Sequence, residues 1–140
     1  MDYDQQVERI SRQNKPLLNA FQQWLEAADL SAKTVRTHVG NVDFFSEYLV
    51  YYEPLEALTE ADEGDFYSFC ADWFPRKAMW ASAGSARSNI TSFRKFARFM
   101  VVAGHWQPER EQAIREVLRV NRDAFIDIAE TYYDQFGDDW

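Results

Sequence analysis

A chain of 140 residues is long enough to bury one sizeable core and too short for most two-domain enzymes. With 46% hydrophobic and 16% aromatic residues against five glycines and four prolines, the composition excludes a disordered or loop-dominated chain and points to a mostly helical globule. A single cysteine, Cys70, excludes an internal disulfide and a cysteine-based zinc site, and the net charge of −8, taken alone, argues against a nucleic-acid partner.

The start, Met1-Asp2-Tyr3-Asp4, is acidic where a signal peptide is basic, and no apolar run approaches the length of a membrane span. A soluble, cytoplasmic protein in a reducing compartment is the expectation. Residues 1–15 read as a polar, frayed lead-in. Pro16 then stands where a first-turn proline is tolerated, and Leu17, Leu18, Phe21, Trp24, Leu25 and Ala28 recur at helical spacing, so a first helix is expected over 16–28. Ser31 is a good N-cap for a second helix, whose stripe of Val35, Val39, Val42, Phe45 and Leu49 reaches Tyr51. After an acidic connector around Pro54, Thr59-Glu60-Ala61-Asp62 resembles a capping box. It opens a third helix that buries Phe66, Phe69, Cys70 and Trp73.

Pro75 is expected to stop that helix and Gly84 to close a basic loop over residues 76–84. Ser82 or Ser85 caps a fourth helix with Ala86, Ile90, Phe93, Ala97 and Met100 on its apolar face and Gly104 as its left-handed terminator. These segments predict an all-α, compact bundle of four to five helices over residues 16–107. Beyond Pro108, residues 108–140 read as one additional, acidic C-terminal helix, in which Ile114, Leu118, Asn121, Phe125, Ile128 and Tyr132 form a heptad seam. Asp123, Asp127, Glu130 and Asp134 in its second half have no bases beyond them. The seam packs on its own bundle or docks on another subunit. Self-association through these residues, as a homo-oligomer or with recombinase subunits, is the expectation carried forward.

No catalytic cluster emerges. His38 and His105 lack ligand or carboxylate partners at helical spacing, Cys70 falls on a buried face, and capping explains Asp62, Glu63 and Asp65 better than paired acid/base chemistry. There is no phosphate-binding glycine motif and no nucleophile elbow. The chain is therefore expected to be no enzyme and to carry no cofactor and no metal.

The charges are sorted along the chain. Residues 43–72 hold nine acids and no Lys or Arg, and residues 75–104 hold six bases and no acid. A partner reads the field within about one Debye length, ~10 Å at 0.1 M salt, so this sorting outweighs the total. On a helical wheel Arg87, Thr91, Arg94 and Arg98 fall within an arc of about 60°, with Lys95 beside Thr91, away from Ile90, Phe93 and Ala97. Lys33, Thr34, Arg36, Thr37 and Gly40 cluster at the positive end of the second helix, where free N–H groups favour anions. Arg and Thr side chains repeating at one-turn intervals suit a row of phosphates.

The order of Phe21-Gln22-Gln23-Trp24-Leu25, Leu30-Ser31-Ala32-Lys33-Thr34-Val35 and Phe44-Phe45-Ser46-Glu47-Tyr48-Leu49, followed by Ser85-Ala86-Arg87 and Ile90-Thr91-Ser92-Phe93-Arg94-Lys95-Phe96-Ala97-Arg98-Phe99-Met100, resembles the N-terminal core-binding (SAM-like) domain of phage integrases and other tyrosine site-specific recombinases. The resemblance covers about Pro16 to Trp106. It implies a helical bundle that clasps double-stranded DNA with its second and fourth helices, in site-specific recombination or DNA integration. The DNA contacts it implies are Lys33, Thr34, Arg36, Thr37, Arg87, Thr91, Arg94, Lys95 and Arg98, with Arg76 and Lys77 from the loop. The family's catalytic domain, with its His-x-x-Arg box and nucleophilic Tyr, has no counterpart in these 140 residues. The alternative is a protein-interaction module that keeps the bundle, has lost DNA binding and modulates a recombinase.

Overall fold

In the computed structural model, residues 1–136 are described, with side chains through Tyr132. Helices joined by turns make up all of the described regular structure, with no strand. The helices are α1 (Tyr3–Ala27), α2 (Ala32–Leu49), a short 3₁₀ turn (Leu58–Glu60), α3 (Glu63–Ser68), a π-helical segment (Phe69–Trp73), α4 (Phe74–Lys77), α5 (Ala83–Val102), α6 (Pro108–Val120) and α7 (Arg122–Phe136). No helix among the described residues is long and apolar enough to cross a membrane.

The core forms around α5, whose Phe93, Phe96, Ala97 and Met100 are wholly inaccessible. Phe45 of α2 stacks on Phe66 of α3 with centroids 4.2 Å apart, and Phe69 and Phe93 close on the pair at 5.4 and 5.3 Å. Asn41 meets Ser88 while His38 meets Ser92, so α2 and α5 run antiparallel. The chain between α2 and α3 is pinned at its far end, where the Trp106 indole N–H donates to the Thr59 carbonyl at 2.8 Å and the Arg110 guanidinium donates to the same oxygen at 3.0 Å.

Several local expectations are corrected. The lead-in at 1–15 is the first half of α1: Asp2 caps it by accepting the Gln5 N–H at 2.8 Å, the Gln5 side chain accepts the Asp2 N–H at 3.1 Å, and Ile10 and Asn14 are buried. Pro16 lies inside that helix instead of at its start. It sits on the exposed face with Arg12, so the carbonyl it leaves without a helical donor is open to water. The box that opens α3 is formed by Asp62 and Asp65, and Thr59 belongs to the 3₁₀ turn.

Pro75 does not end the third helix. The π segment before it, in which the Phe74 N–H reaches Phe69, widens the turn that a proline ring would otherwise strike, and the helix continues to Lys77. Gly84 is the second residue of α5, with Ser82 as the cap, so the basic loop ends before it. Gly104 does terminate α5 with a positive φ of 82°.

The expected single C-terminal helix is two. The Asn121 side-chain amide donates to the Val117 carbonyl at 2.9 Å, Asn121 caps α6, and the chain bends before Arg122. Ile114, Leu118 and Phe125 are buried in the chain's own core, with Phe125 set edge-on against Tyr67 at 5.7 Å, and Ile128 is half-buried. Three residues of the expected seam, Ile114, Leu118 and Phe125, thus pack within the chain's own core. Asp134 and residues 137–140 lie outside the side chains and residues described.

Candidate nucleic-acid interface

The strip on α5 begins at a firmly capped N-terminus. The Ser82 hydroxyl accepts the Ser85 N–H at 3.1 Å, and Ser85 Oγ accepts the Ser82 N–H at 2.8 Å. A carboxylate of α7 is also present here: Glu130 Oε2 accepts the Ala83 N–H at 2.6 Å, placing an anion where the helix dipole favours one. From this end Arg87, Thr91, Arg94 and Arg98 run along the exposed face, with Lys95 half-buried beside them. Thr91 Oγ1 donates back to the Arg87 carbonyl at 3.1 Å. Among the described residues neither the Arg87 nor the Arg94 guanidinium has a hydrogen bond or an ion pair.

Thr91, Arg94, Lys95 and Arg98 share one depression of about 360 Å³ with Trp24 of α1 and Arg115 of α6. Arg94 also borders a second depression, of about 380 Å³, with Arg115 and Arg119 of α6, Arg122 at the start of α7, and Glu116 among them. The spacing of Arg115, Arg119 and Arg122 at one-turn intervals was visible, but the packing of α6 against α5 that aims them beside Arg94 was not. One buried carboxylate ties this surface together: Glu111 lies 3.4 Å from Arg98 and 3.9 Å from Arg115. Arg98 is therefore paired.

On the other flank, α2 meets α5 through small polar groups. Asn41 Nδ2 donates to Ser88 Oγ at 3.0 Å and to Ser92 Oγ at 2.9 Å, and His38 Nδ1 lies 2.6 Å from Ser92 Oγ. Ser92 Oγ thus joins both α2 side chains to α5. Burial first, and then the charge of Lys95, lowers the His38 pKa below its ordinary value and favours the neutral ring. Lys33 and Thr37 are exposed on the first turns of α2, where Thr37 Oγ1 donates to the Lys33 carbonyl at 3.0 Å, and Thr34 N–H donates to the Ser31 cap at 3.1 Å.

Three expected members sit elsewhere. Arg36 lines the groove between α1 and α2, on the side of α2 turned from α5. Arg76 pairs with Asp72 at 3.1 Å and donates to the Tyr52 hydroxyl at 3.3 Å. Lys77 donates to the Tyr51 hydroxyl at 2.7 Å and lies 4.5 Å from that ring's centroid. These two bases belong to an aromatic corner at the end of α2.

No group of three or more His, Cys, Asp or Glu among the described residues is arranged to hold a metal ion. Cys70 is buried, and desolvation pushes its thiol pKa far up, away from the reactive thiolate. No family model, curated protein or solved structure matches the chain at a significant level.

Proposed function

We propose that the chain is a non-catalytic module that binds duplex DNA through phosphate contacts, of the kind found in the core-binding domain of tyrosine recombinases, in site-specific recombination or DNA integration. The observation that carries this reading is the gathering of Arg94, Lys95, Arg98 and Arg115 around one open depression, continued by Arg119 and Arg122. Successive turns of α5 space its bases by about 5.4 Å along the helix, a repeat suited to following a sugar-phosphate strand. Arginine holds its charge at any relevant pH and offers a planar fork to phosphate oxygens. Lys33 and Thr37 extend the surface onto α2, and the order of sequence motifs supports the family reading.

The test is titration of a mixed-sequence duplex at about 50 and 200 mM salt, where a protein neutralising several phosphates loses affinity steeply. Arg87→Ala with Arg94→Ala removes two guanidiniums that hold no internal partner. The double variant is expected to bind at least about tenfold more weakly and to lower the salt slope by about two. Binding by the variant equal to that of the parent chain would overturn the assignment. The second reading, an interaction module that has lost DNA binding, is favoured by Glu111 and Glu130, which set carboxylates on α5 at Arg98 and at its N-terminus. It predicts no duplex binding even at low salt.

A further inference from the structure

The side of α2 turned from the basic strip forms, with α1, a groove of about 750 Å³. The helices lie antiparallel along it, with the Tyr3 hydroxyl donating to the Val50 carbonyl at 2.8 Å at one end. Its floor carries the half-buried side chains of Val7, Leu18, Val39 and Val50. Among the lining residues of α2 and its C-cap, Arg36, Gly40, Asp43, Glu47 and Val50 follow one another at alternating steps of four and three, the repeat of a seam that faces another helix, with Val39 and Ser46 beside them. Two features of this seam have no explanation within the single chain. Gly40 stands in mid-helix, although glycine is the least helix-favouring residue after proline and a Cβ there would meet nothing within 4 Å. The seam charges also find no partners: among the described residues none of Lys15, Arg36, Asp43 and Glu47 takes part in an ion pair. Glu47 instead lies near Asp43, and burial together with that like charge raises its pKa.

The geometry points to a second copy of this chain as the occupant of the groove, in a two-fold, antiparallel pairing of α1 and α2 with α1 and α2 of the partner copy. The charge pattern selects this occupant. Arg36 lies one turn before Gly40 and Glu47 one turn after Asp43, so a two-fold axis between Gly40 and Asp43 sets each Arg36 opposite the other copy's Glu47. It also brings each Lys15 toward the other copy's Asp43. A self-complementary surface of this kind is what an isologous dimer requires. Gly40 at the axis lets the two α2 backbones approach, and the α5 strip stays open on the far side of α2. The proposal does not depend on DNA binding.

Sedimentation velocity of the full chain across a concentration series tests it. A small, polar interface of this type is expected to hold a dimer at on the order of 100 µM and to release monomers at about 1 µM. Gly40→Leu fills the groove where the single chain has open space, so it is expected to remain monomeric across the series while its thermal midpoint holds or rises. Glu47→Arg sets like charges together and is expected to weaken the dimer at least about tenfold, whereas Arg36→Glu with Glu47→Arg restores it. A parent chain that stays monomeric throughout overturns the proposal. So does a dimer indifferent to Gly40→Leu, or a reversed pair that fails to recover. If Gly40→Leu misfolds, the charge-reversal pair alone decides.

Discussion

On α5 and α6, Arg94, Lys95, Arg98 and Arg115 converge on one depression, while the carboxyls of Glu56, in the connector after α2, and Asp65, in α3, share a recess of about 170 Å³ with Tyr48 and Tyr52. Both regions crowd like charges, and they resolve the crowding differently. Long arginine stems fan out to water, and a single buried carboxylate, Glu111, bridges two of them. The acidic side chains are short and fixed by the backbone: Glu56 N–H donates to the Leu49 carbonyl at 3.0 Å, and Asp65 is locked into the cap of α3. No Lys or Arg among the described residues lines the recess, and burial, followed by the hydrogen bond and charge of Asp65, pushes Glu56 up to about 7. Long bases leave a charged surface available to a partner, whereas short acids in a tight turn convert charge into proton affinity.

The largest effect expected on this contrast comes from the aromatic packing of α3, the helix that carries Asp65. Phe66→Ala removes the ring stacked on Phe45 and is expected to destabilise the fold by about 3–5 kcal/mol in chemical denaturation. Loosening α3 is also expected to let Asp65 move away from Glu56, so the variant's stability should depend less on pH than the parent's. A loss below about 1 kcal/mol would mean that the recess does not rest on this packing.

An effect of intermediate size is expected at Glu111. Glu111→Gln keeps the shape of the side chain and releases Arg98 and Arg115 from their shared carboxylate. Under the proposed function, duplex binding tightens by about 3- to 10-fold at 0.1 M salt and the salt slope steepens by about one. Unchanged binding would mean that the bridged guanidiniums do not face the nucleic acid.

The legible parts of this molecule were those governed by local rules. Ser31 as a cap, Gly104 as a terminator and the stripe Ala86, Ile90, Phe93, Ala97 and Met100 follow from spacing and residue type, and the structure places them so. The start of α1 was legible too, since Asp2-x-x-Gln5 is a capping box and Ile10, Asn14, Leu17 and Phe21 keep helical steps, but the polarity of the segment masked it. Pro75 misled because its cost depends on the turn before it, and a π segment leaves no pattern at this level. For the candidate site, the α5 bases were evident from the wheel. The addition of Arg115 and the removal of Arg36 required knowing which helices flank α5, which is tertiary information.

The smallest expected effect tests the acidic half of the comparison most directly. The folded pKa of Glu56 lies near 7, above the ordinary 4.5, and Asp65 is raised as well, so between those limits the folded state binds more protons than the unfolded chain. Stability from this pair is therefore greatest at low pH and is lost as pH rises toward and through 7. His38, pushed down, has the opposite sign: it favours folding increasingly as pH rises toward 6.5. The two slopes oppose one another in the parent chain, and a difference between parent and variant separates them. Glu56→Gln retains a hydrogen-bonding group beside Asp65 and abolishes the charge. It is expected to match the parent near pH 4.5 and to exceed it by about 1 kcal/mol at pH 8, a figure reduced for solvent screening of a carboxyl close to the surface. Parallel denaturation curves at the two pH values would show that Glu56 ionises without cost, and the acidic turn would then behave as the basic strip does.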